Sequence, residues 1–176
     1  MTLEERIKSC IRDVPDFPKR GILFKDITPI FSYPDLCIEI IEGFKTSLVG
    51  IKLDAVACIE SRGFFFGMLL AQEFHVPFIP IRKKGKLPYK TLSLDYELEY
   101  GTETMEIHVD AIKQGQNILI HDDVLATGGT ALAASKLVMS AGGNVAGYAF
   151  LLSLGFLGGA EKLEVASSTI VSLVEY

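Results

Sequence analysis

Two adjacent carboxylates followed by small residues form the most informative stretch of the sequence. Asp122 and Asp123 come after the apolar run 118–120, and a small-residue loop then leads into a predicted helix. That loop consists of Ala126, Thr127, Gly128, Gly129 and Thr130. Backbone N–H groups at a helix N-terminus bind anions, and glycine lets a ligand approach closely, so the loop predicts a phosphate cradle. Since carboxylates repel phosphate, the pair needs another partner, and the hydroxyls of a sugar are suitable donors.

A second turn of this kind follows an earlier apolar run. Ser61, Arg62 and Gly63 come directly after residues 55–59 and begin an apolar helical segment. Arginine forms bidentate, charge-assisted hydrogen bonds with phosphate. Two such turns in one sheet indicate a ligand with two phosphate-bearing ends. The alternative for either turn alone is a capped helix with a solvated polar side chain.

A basic run lies at residues 82–86, with four positive charges in five residues. It follows the apolar run 78–81, so we expect it at the carboxyl end of a strand, where it would attract an anionic substrate; the alternative is a solvated surface. The whole chain carries a net charge of −5. That balance argues against general nucleic-acid binding and against binding to an anionic membrane surface.

The composition is typical of a globular protein in a reducing compartment. Hydrophobic residues make up 49 % and charged residues 22 % of the chain, which excludes a disordered or coiled-coil protein. Its three cysteines form no CxxC pair, which favours a cytoplasmic protein without zinc or a disulfide framework. The sequence starts without the features of a signal peptide, and the uncharged segment 137–160 is interrupted by glycine pairs that indicate turns.

The elements that position these residues alternate between strand and helix. We predict strands at 55–59, 78–81, 118–120, 145–152 and 169–174, with helices at 36–48, 63–74 and 134–141. The strands are continuous apolar runs, as expected when helices cover both faces of a parallel sheet. The sequence therefore predicts one α/β domain over 1–176, with an open, mostly parallel twisted sheet flanked by helices. Residues 83–104 break the alternation and predict a flexible antiparallel lid excursion.

Together these motifs resemble the type I phosphoribosyltransferases. The stretch 122–130 resembles their phosphoribosyl-diphosphate signature, and three further segments (17–29, 60–64, and 82–88 with 98–101) resemble the members that use adenine. The resemblance covers essentially the whole chain and makes residues 1–30 a base-recognition segment. It implies the type I phosphoribosyltransferase fold. It also implies a purine salvage reaction, in which adenine and 5-phospho-α-D-ribose 1-diphosphate give AMP and diphosphate.

The resemblance also implies a role for each candidate residue. Asp122 and Asp123, with the loop 126–130, would bind the ribose and the 5′-phosphate. The diphosphate would be bound by Ser61, Arg62, Gly63, Arg82, Lys83 and Lys86, with Arg82 reaching it across a subunit interface. Phe24 would stack on adenine while the backbone of Leu23 and Lys25 reads the base edge. The expected catalytic set is Glu99, as general acid or base, with Tyr100 and Arg62.

Further expectations come from the same resemblance. Magnesium would be held through the substrate, without direct protein ligands; the protein would form a C₂ homodimer; and a cis peptide bond is expected at or beside Glu60–Ser61. The sequence departs from the family at Arg20, at Lys25 and at His121, which we interpret as a strand residue. Lys25 changes little if only its backbone reads the base, but changes affinity if its side chain closes over the ligand.

Two alternative functions remain at this point. One is a sister phosphoribosyltransferase that uses another base, such as xanthine, hypoxanthine or orotate. The other is a non-catalytic regulator of the same fold that binds nucleic acid, which would be expected to carry an added basic domain.

Overall fold

The computed structural model describes residues 1–98 and 101–176. The helices are α1 (Leu3–Cys10), α2 (Pro34–Ser47), α3 (Gly63–Glu73), α4 (Gly129–Ser140) and α5 (Gly159–Leu163). The strands are β1 (Arg12–Pro15), β2 (Leu23–Asp26), β3 (Ala55–Ile59), β4 (Phe78–Lys83), β5 (Thr91–Leu98), β6 (Gly101–His108), β7 (Asn117–Leu125), β8 (Asn144–Ser153) and β9 (Ile170–Glu175).

The main sheet has the strand order β5-β6-β4-β3-β7-β8-β9. Strands β4, β3, β7, β8 and β9 each run parallel to the next strand in that order, which confirms the predicted open, mostly parallel sheet. From β3 the chain first crosses to β4 on one side and later returns to β7 on the other. The boundary between β3 and β7 is therefore the topological switch point, where α/β sheets of this kind bind ligands.

The predicted antiparallel excursion is confirmed as a hairpin. Strand β6 pairs antiparallel with β4, and β5 pairs antiparallel with β6 along its length. The hairpin places strands β5 and β6 beside the carboxyl end of β4, over one side of the switch point. The flexibility of residues 83–104 stays a prediction.

Both faces of the sheet are covered by apolar side chains. Alternate residues of β3 belong to different core clusters: Ala57 packs on the side of α4, while Val56 and Cys58 pack on the side of α2 and α3. Burial on both faces explains why the strands read as continuous apolar runs. Strands β1 and β2 form a separate antiparallel sheet, in which Asp13 is the cross-strand partner of Lys25.

His121 is a core residue of β7, as the sequence analysis expects. Its side chain is fully buried, and its ring lies edge-on to Phe44 with 5.7 Å between ring centres. Burial lowers the pKa of His121 to about 4, and a weaker contribution from the Ala149 backbone acts in the opposite direction.

We expect His121 to make the folded protein sensitive to mild acid. In the unfolded chain His121 takes up a proton near its ordinary pKa of 6.5. In the folded chain its imidazole stays neutral until the pH nears 4. Stability is therefore complete above the higher value and is lost as the pH falls between the two, by up to about 3 kcal/mol. Urea unfolding at several pH values should show that the free energy of unfolding falls less on acidification in His121→Leu than in wild type. The exposed His75, changed to Asn, is the control; a wild-type acid slope in His121→Leu would contradict the assignment.

Candidate active site

The acidic pair lies inside β7, not at the exposed end of a strand as the sequence suggests. Parallel pairing with β8 continues past the pair to Leu125, so the predicted strand 118–120 is too short. Asp123 is only 3 % exposed. The start of α3 packs over Asp122, since a Cβ placed on Gly63 would lie 3.0 Å from an Asp122 carboxylate oxygen. Longer strand pairing and the α3 helix thus bury two carboxylates that the sequence pattern alone would place in solvent.

Burial raises the pKa of both carboxyl groups of the acidic pair. Burial, then repulsion by Asp123, raises the pKa of Asp122 well above its usual range. Burial also raises the pKa of Asp123, although the Arg62 guanidinium opposes that shift. Ionisation of the pair is therefore favoured when hydroxyl donors or positive charge enter the site.

Arg62 joins the acidic pair to the predicted base-recognition segment. It immediately precedes α3, at the carboxyl end of β3, and its Nε atom lies 3.0 Å from Asp123 Oδ2. Its guanidinium carbon lies 4.5 Å from the centre of the Phe24 ring, and Nη1 donates to the Lys25 carbonyl over 3.5 Å. The expected cis peptide bond is present between Glu60 and Ser61, in the turn that carries Arg62.

A cavity of about 270 Å³ lies between the carboxyl ends of β3, β4 and β7 and the β5–β6 hairpin. The lining includes seven residues that the sequence analysis singles out: Ser61, Arg62, Arg82, Lys83, Asp122, Asp123 and Thr130. Segments far apart in sequence are therefore brought to one cavity with both positive and negative walls.

The predicted phosphate loop forms a recess beside this cavity. Its walls are Asp122 and the backbone and side chains of residues 124–131. Gly128 has a φ of +76°, and a Cβ there would come 2.6 Å from the Gly159 carbonyl oxygen. The loop therefore rests directly on the first residue of α5, and side chains larger than hydrogen are excluded where the two backbones meet.

The basic run is only partly directed at the cavity. Arg82 Nε lies 2.5 Å from Glu60 Oε2, and its Nη1 donates to the Lys86 carbonyl over 3.1 Å. Lys83 Nζ lies 3.0 Å from Glu103 Oε1. The Lys86 side chain is exposed and lies outside the described cavity lining, so its role at the diphosphate stays a prediction.

Two site residues were missed in the sequence. Tyr96 and Glu103 line the cavity from the hairpin, and the Tyr96 hydroxyl donates to the Glu103 carboxylate over 3.2 Å. Burial, with the nearby Glu103 charge, raises the pKa of Tyr96 to about 12. The alternation at 92, 94, 96 and 98 places Tyr96 on the inner face, but its pairing with Glu103 depends on the hairpin register.

The base-recognition segment reaches the site through Arg62. Phe24 packs edge-on against Phe17, with 5.0 Å between ring centres, and its ring also faces the guanidinium. The Lys25 side chain lies against Asp13, while its carbonyl accepts from Arg62; contact of either group with a base stays a prediction. The expected catalytic residues Glu99 and Tyr100 lie outside the described residues.

Comparison with known proteins agrees with this fold and site. The model of the phosphoribosyl transferase domain family matches residues 30–171. The chain therefore belongs to the phosphoribosyltransferase family, whose type I fold the sheet order and hairpin reproduce.

Within that family the similarity is to proteins named adenine phosphoribosyltransferase. The protein of that name from Cytophaga hutchinsonii is 53 % identical over 174 residues, covering 99 % of this chain and 96 % of the relative. The crystal structure from Thermoanaerobacter pseudethanolicus has a TM-score of 0.95 at 51 % identity, covering 99 % of this chain and 100 % of that one. The Saccharomyces cerevisiae enzyme, complexed with an imino-altritol bisphosphate and adenine, has a TM-score of 0.90 at 40 % identity over 97 % and 98 % of the two chains.

Proposed function

We propose that this enzyme transfers the 5-phosphoribosyl group of 5-phospho-α-D-ribose 1-diphosphate to adenine, giving AMP and diphosphate. One observation carries the proposal: Arg62 contacts both Asp123 and the Phe24–Lys25 segment at the switch point. These contacts support the proposal, because they bring the predicted sugar-binding carboxylates and the predicted base-binding residues within reach of one arginine that could bind the diphosphate. Relatives that are 53 % and 52 % identical over 99 % and 100 % of this chain are named adenine phosphoribosyltransferase.

The phosphate loop and the acidic pair orient the sugar. The recess formed by residues 126–130 takes the 5′-phosphate on backbone N–H groups at the start of α4. Asp122 and Asp123 then accept hydrogen bonds from the ribose hydroxyls, which favours their ionised forms. The transition state resembles an oxocarbenium ion, so two nearby carboxylates stabilise the positive charge as it develops.

The cationic wall stabilises the departing diphosphate. Arg62, Arg82 and Lys83 line the cavity, and each is paired with a carboxylate: Asp123, Glu60 and Glu103 respectively. An incoming diphosphate offers these cations a stronger charge-assisted partner. We therefore expect the three ion pairs to loosen when the substrate binds.

Magnesium is proposed as a substrate-bound ion. The structure's described residues contain no group of three or more acidic, histidine or cysteine side chains placed to hold a metal, so the diphosphate and ribose oxygens would supply most ligands. When bound, the ion neutralises charge on the leaving group. Asp122 and Asp123 would help to hold it through the ribose hydroxyls.

Glu99 is proposed as the general acid or base at the adenine ring, with Tyr100 beside it. A carboxyl group within about 2.6–3.2 Å of a ring nitrogen is suited to this proton transfer. Support comes from the sequence resemblance and from the position of the β5–β6 hairpin next to the cavity.

A C₂ homodimer is proposed on the basis of an apolar surface on α2 and α3. Phe65 and Met68 of α3 are 48 % and 52 % exposed, and Ile38 of α2 is 62 % exposed beside a largely apolar groove. Sedimentation at micromolar concentration should give a dimer, and a fully active monomer would contradict the dimer proposal.

A cytoplasmic location is proposed from the three free cysteines. Within the described ranges no helix is long and apolar enough to cross a membrane.

The activity is tested by a base panel. Purified protein with phosphoribosyl diphosphate and magnesium should convert adenine to AMP far faster than it converts hypoxanthine, xanthine or orotate. A preference for another base would favour the sister enzyme, and binding of nucleic acid without turnover would favour the regulator.

We expect Gly159→Ala to weaken binding of phosphoribosyl diphosphate. The added methyl group would collide with the Ala126 carbonyl oxygen and lie 3.0 Å from the Gly128 nitrogen, so the phosphate loop must move. KM for phosphoribosyl diphosphate should rise about tenfold or more, since displacements of about 1 Å are costly in such sites. Gly155→Ala is the matched control, because its methyl group meets only the Tyr176 carbonyl at 3.7 Å. Unchanged KM in Gly159→Ala would show that the loop does not bind the phosphate.

A further inference from the structure

The Lys25 side chain is held by contacts that the proposed reaction does not use. Successive residues of a strand point to opposite faces, so Phe24 faces Arg62 while Lys25 points away. Lys25 Nζ lies 2.7 Å from Asp13 Oδ1 and 3.9 Å from the centre of the Tyr176 ring. The side chain is only 11 % exposed. A cation is thus enclosed between a carboxylate and an aromatic face.

Tyr176 is itself fixed to the main sheet. Its N–H donates to the Ser153 carbonyl, and its carbonyl accepts from the Gly155 N–H, both over 3.0 Å. Ser153 ends β8, the neighbour of the strand that carries the acidic pair. The Lys25–Tyr176 contact therefore connects the small β1–β2 sheet to the sheet that binds the sugar.

The backbone of the same residue faces the site. The Lys25 carbonyl accepts from Arg62 Nη1, and the preceding Phe24 ring faces the guanidinium. Phe24 and Lys25 are neighbours in one short strand, so a shift of β2 relative to Tyr176 moves both of these groups. The position of the base segment therefore depends on a contact on the face of β2 opposite to the site.

We propose that Lys25 is a positioning residue for the base. The attraction of its ammonium group to the Tyr176 ring sets the distance of β2 from the switch point, and thereby the affinity for adenine, while Asp13 of the same small sheet orients the ammonium group. The inference rests on the proposed function, since it assumes that Phe24 and the Lys25 backbone bind the base. An arginine at this position could make both contacts as well, since its guanidinium pairs with carboxylates and stacks on aromatic rings.

The experiment compares steady-state constants of charge and ring variants. Lys25→Met keeps a long apolar stem but removes the cation, and Tyr176→Leu removes the ring. Each should raise KM for adenine about fivefold, with kcat and KM for phosphoribosyl diphosphate within about twofold of wild type. Lys25→Arg and Tyr176→Phe retain the interaction and should restore near-wild-type values. The double variant should be no worse than Lys25→Met alone, because both substitutions remove the Lys25–Tyr176 contact.

Lys8 supplies a matched control. Its Nζ lies 5.1 Å from the same Tyr176 ring but is bound to Glu4 within α1, away from β2. Lys8→Met should therefore leave KM for adenine unchanged. Thermal unfolding of every variant separates misplacement of β2 from general loss of stability.

Several results would overturn the inference. These are a folded Lys25→Met with wild-type KM for adenine, an equal effect of Lys8→Met, or a parallel loss in kcat and both KM values that follows the melting temperature. If Lys25→Met does not fold, the contrast between Tyr176→Leu and Tyr176→Phe decides the question. Wild-type protein that does not use adenine would defeat the proposed function itself, whereas active wild type with an insensitive Lys25→Met defeats only this inference.

Discussion

Replacing Arg62 with alanine should lower kcat/KM for AMP formation about a thousandfold. Arg62 lies 3.0 Å from Asp123 and faces Phe24. Its loss therefore removes a side chain proposed to bind the diphosphate, and it also removes the link between the base segment and the acidic pair. It also leaves Asp123 buried without its cation. The pKa of that carboxyl should then rise further, because Arg62 is the main group that lowers it.

Two further variants sharpen the test. Arg62→Lys keeps the charge but loses the planar fork that contacts three groups, so its activity should lie between wild type and Arg62→Ala. Lys84→Met is the control, since Lys84 is an exposed member of the basic run 82–86 and lies outside the described cavity lining. Steady-state kinetics and thermal unfolding measure the result. A folded Arg62→Ala within tenfold of wild type would remove Arg62 from the mechanism.

Glu99→Ala should lower kcat by about 10²–10⁴ while changing KM much less, as expected for loss of a general acid or base. The expectation comes from the family resemblance, and residue 99 lies outside the described residues. If Glu99 titrates in the working range, the pH dependence of kcat should flatten in Glu99→Gln.

The neighbouring carboxylate provides the comparison for Glu99. Glu97 is an exposed residue of β5 and the cross-strand partner of Thr102. Glu97→Ala removes the same charge two residues earlier in the sequence, so it should change kcat by less than about twofold if the position of the carboxylate matters and the net charge does not. Equal, small effects of the two substitutions would exclude Glu99 as the proton-transfer group.

Local pattern predicts much of this fold. Continuous apolar runs identify the parallel strands, and β3 begins and ends where the sequence predicts, at Ala55 and Ile59. Both of its neighbours in the sheet are also apolar strands, so burial on both faces leaves a plain signal in the sequence. The small-residue loop 126–130 is likewise readable, because a tight turn into a helix requires residues of that kind.

Contacts between distant segments decide what the pattern leaves open. The extent of β7, and with it the burial of Asp123, depends on pairing with β8 rather than on the residues of β7 alone. The partners of Tyr96 and Arg82 depend in the same way on which strands are neighbours. A charged residue in a basic run looks the same in the sequence whether it faces a cavity or solvent.

The sequence by itself therefore determined the fold class, the main parallel strands, and the places of the small-residue loop and the acidic pair along the chain. Only the tertiary structure decided that Arg62 contacts both Asp123 and the base segment, and that the Lys25 side chain turns away to Tyr176. The physical reason is range. Hydrophobic periodicity and turn chemistry act over a few residues, whereas the direction of a long cationic side chain is set by whichever carboxylate or aromatic face the folded chain brings within about 4 Å of it.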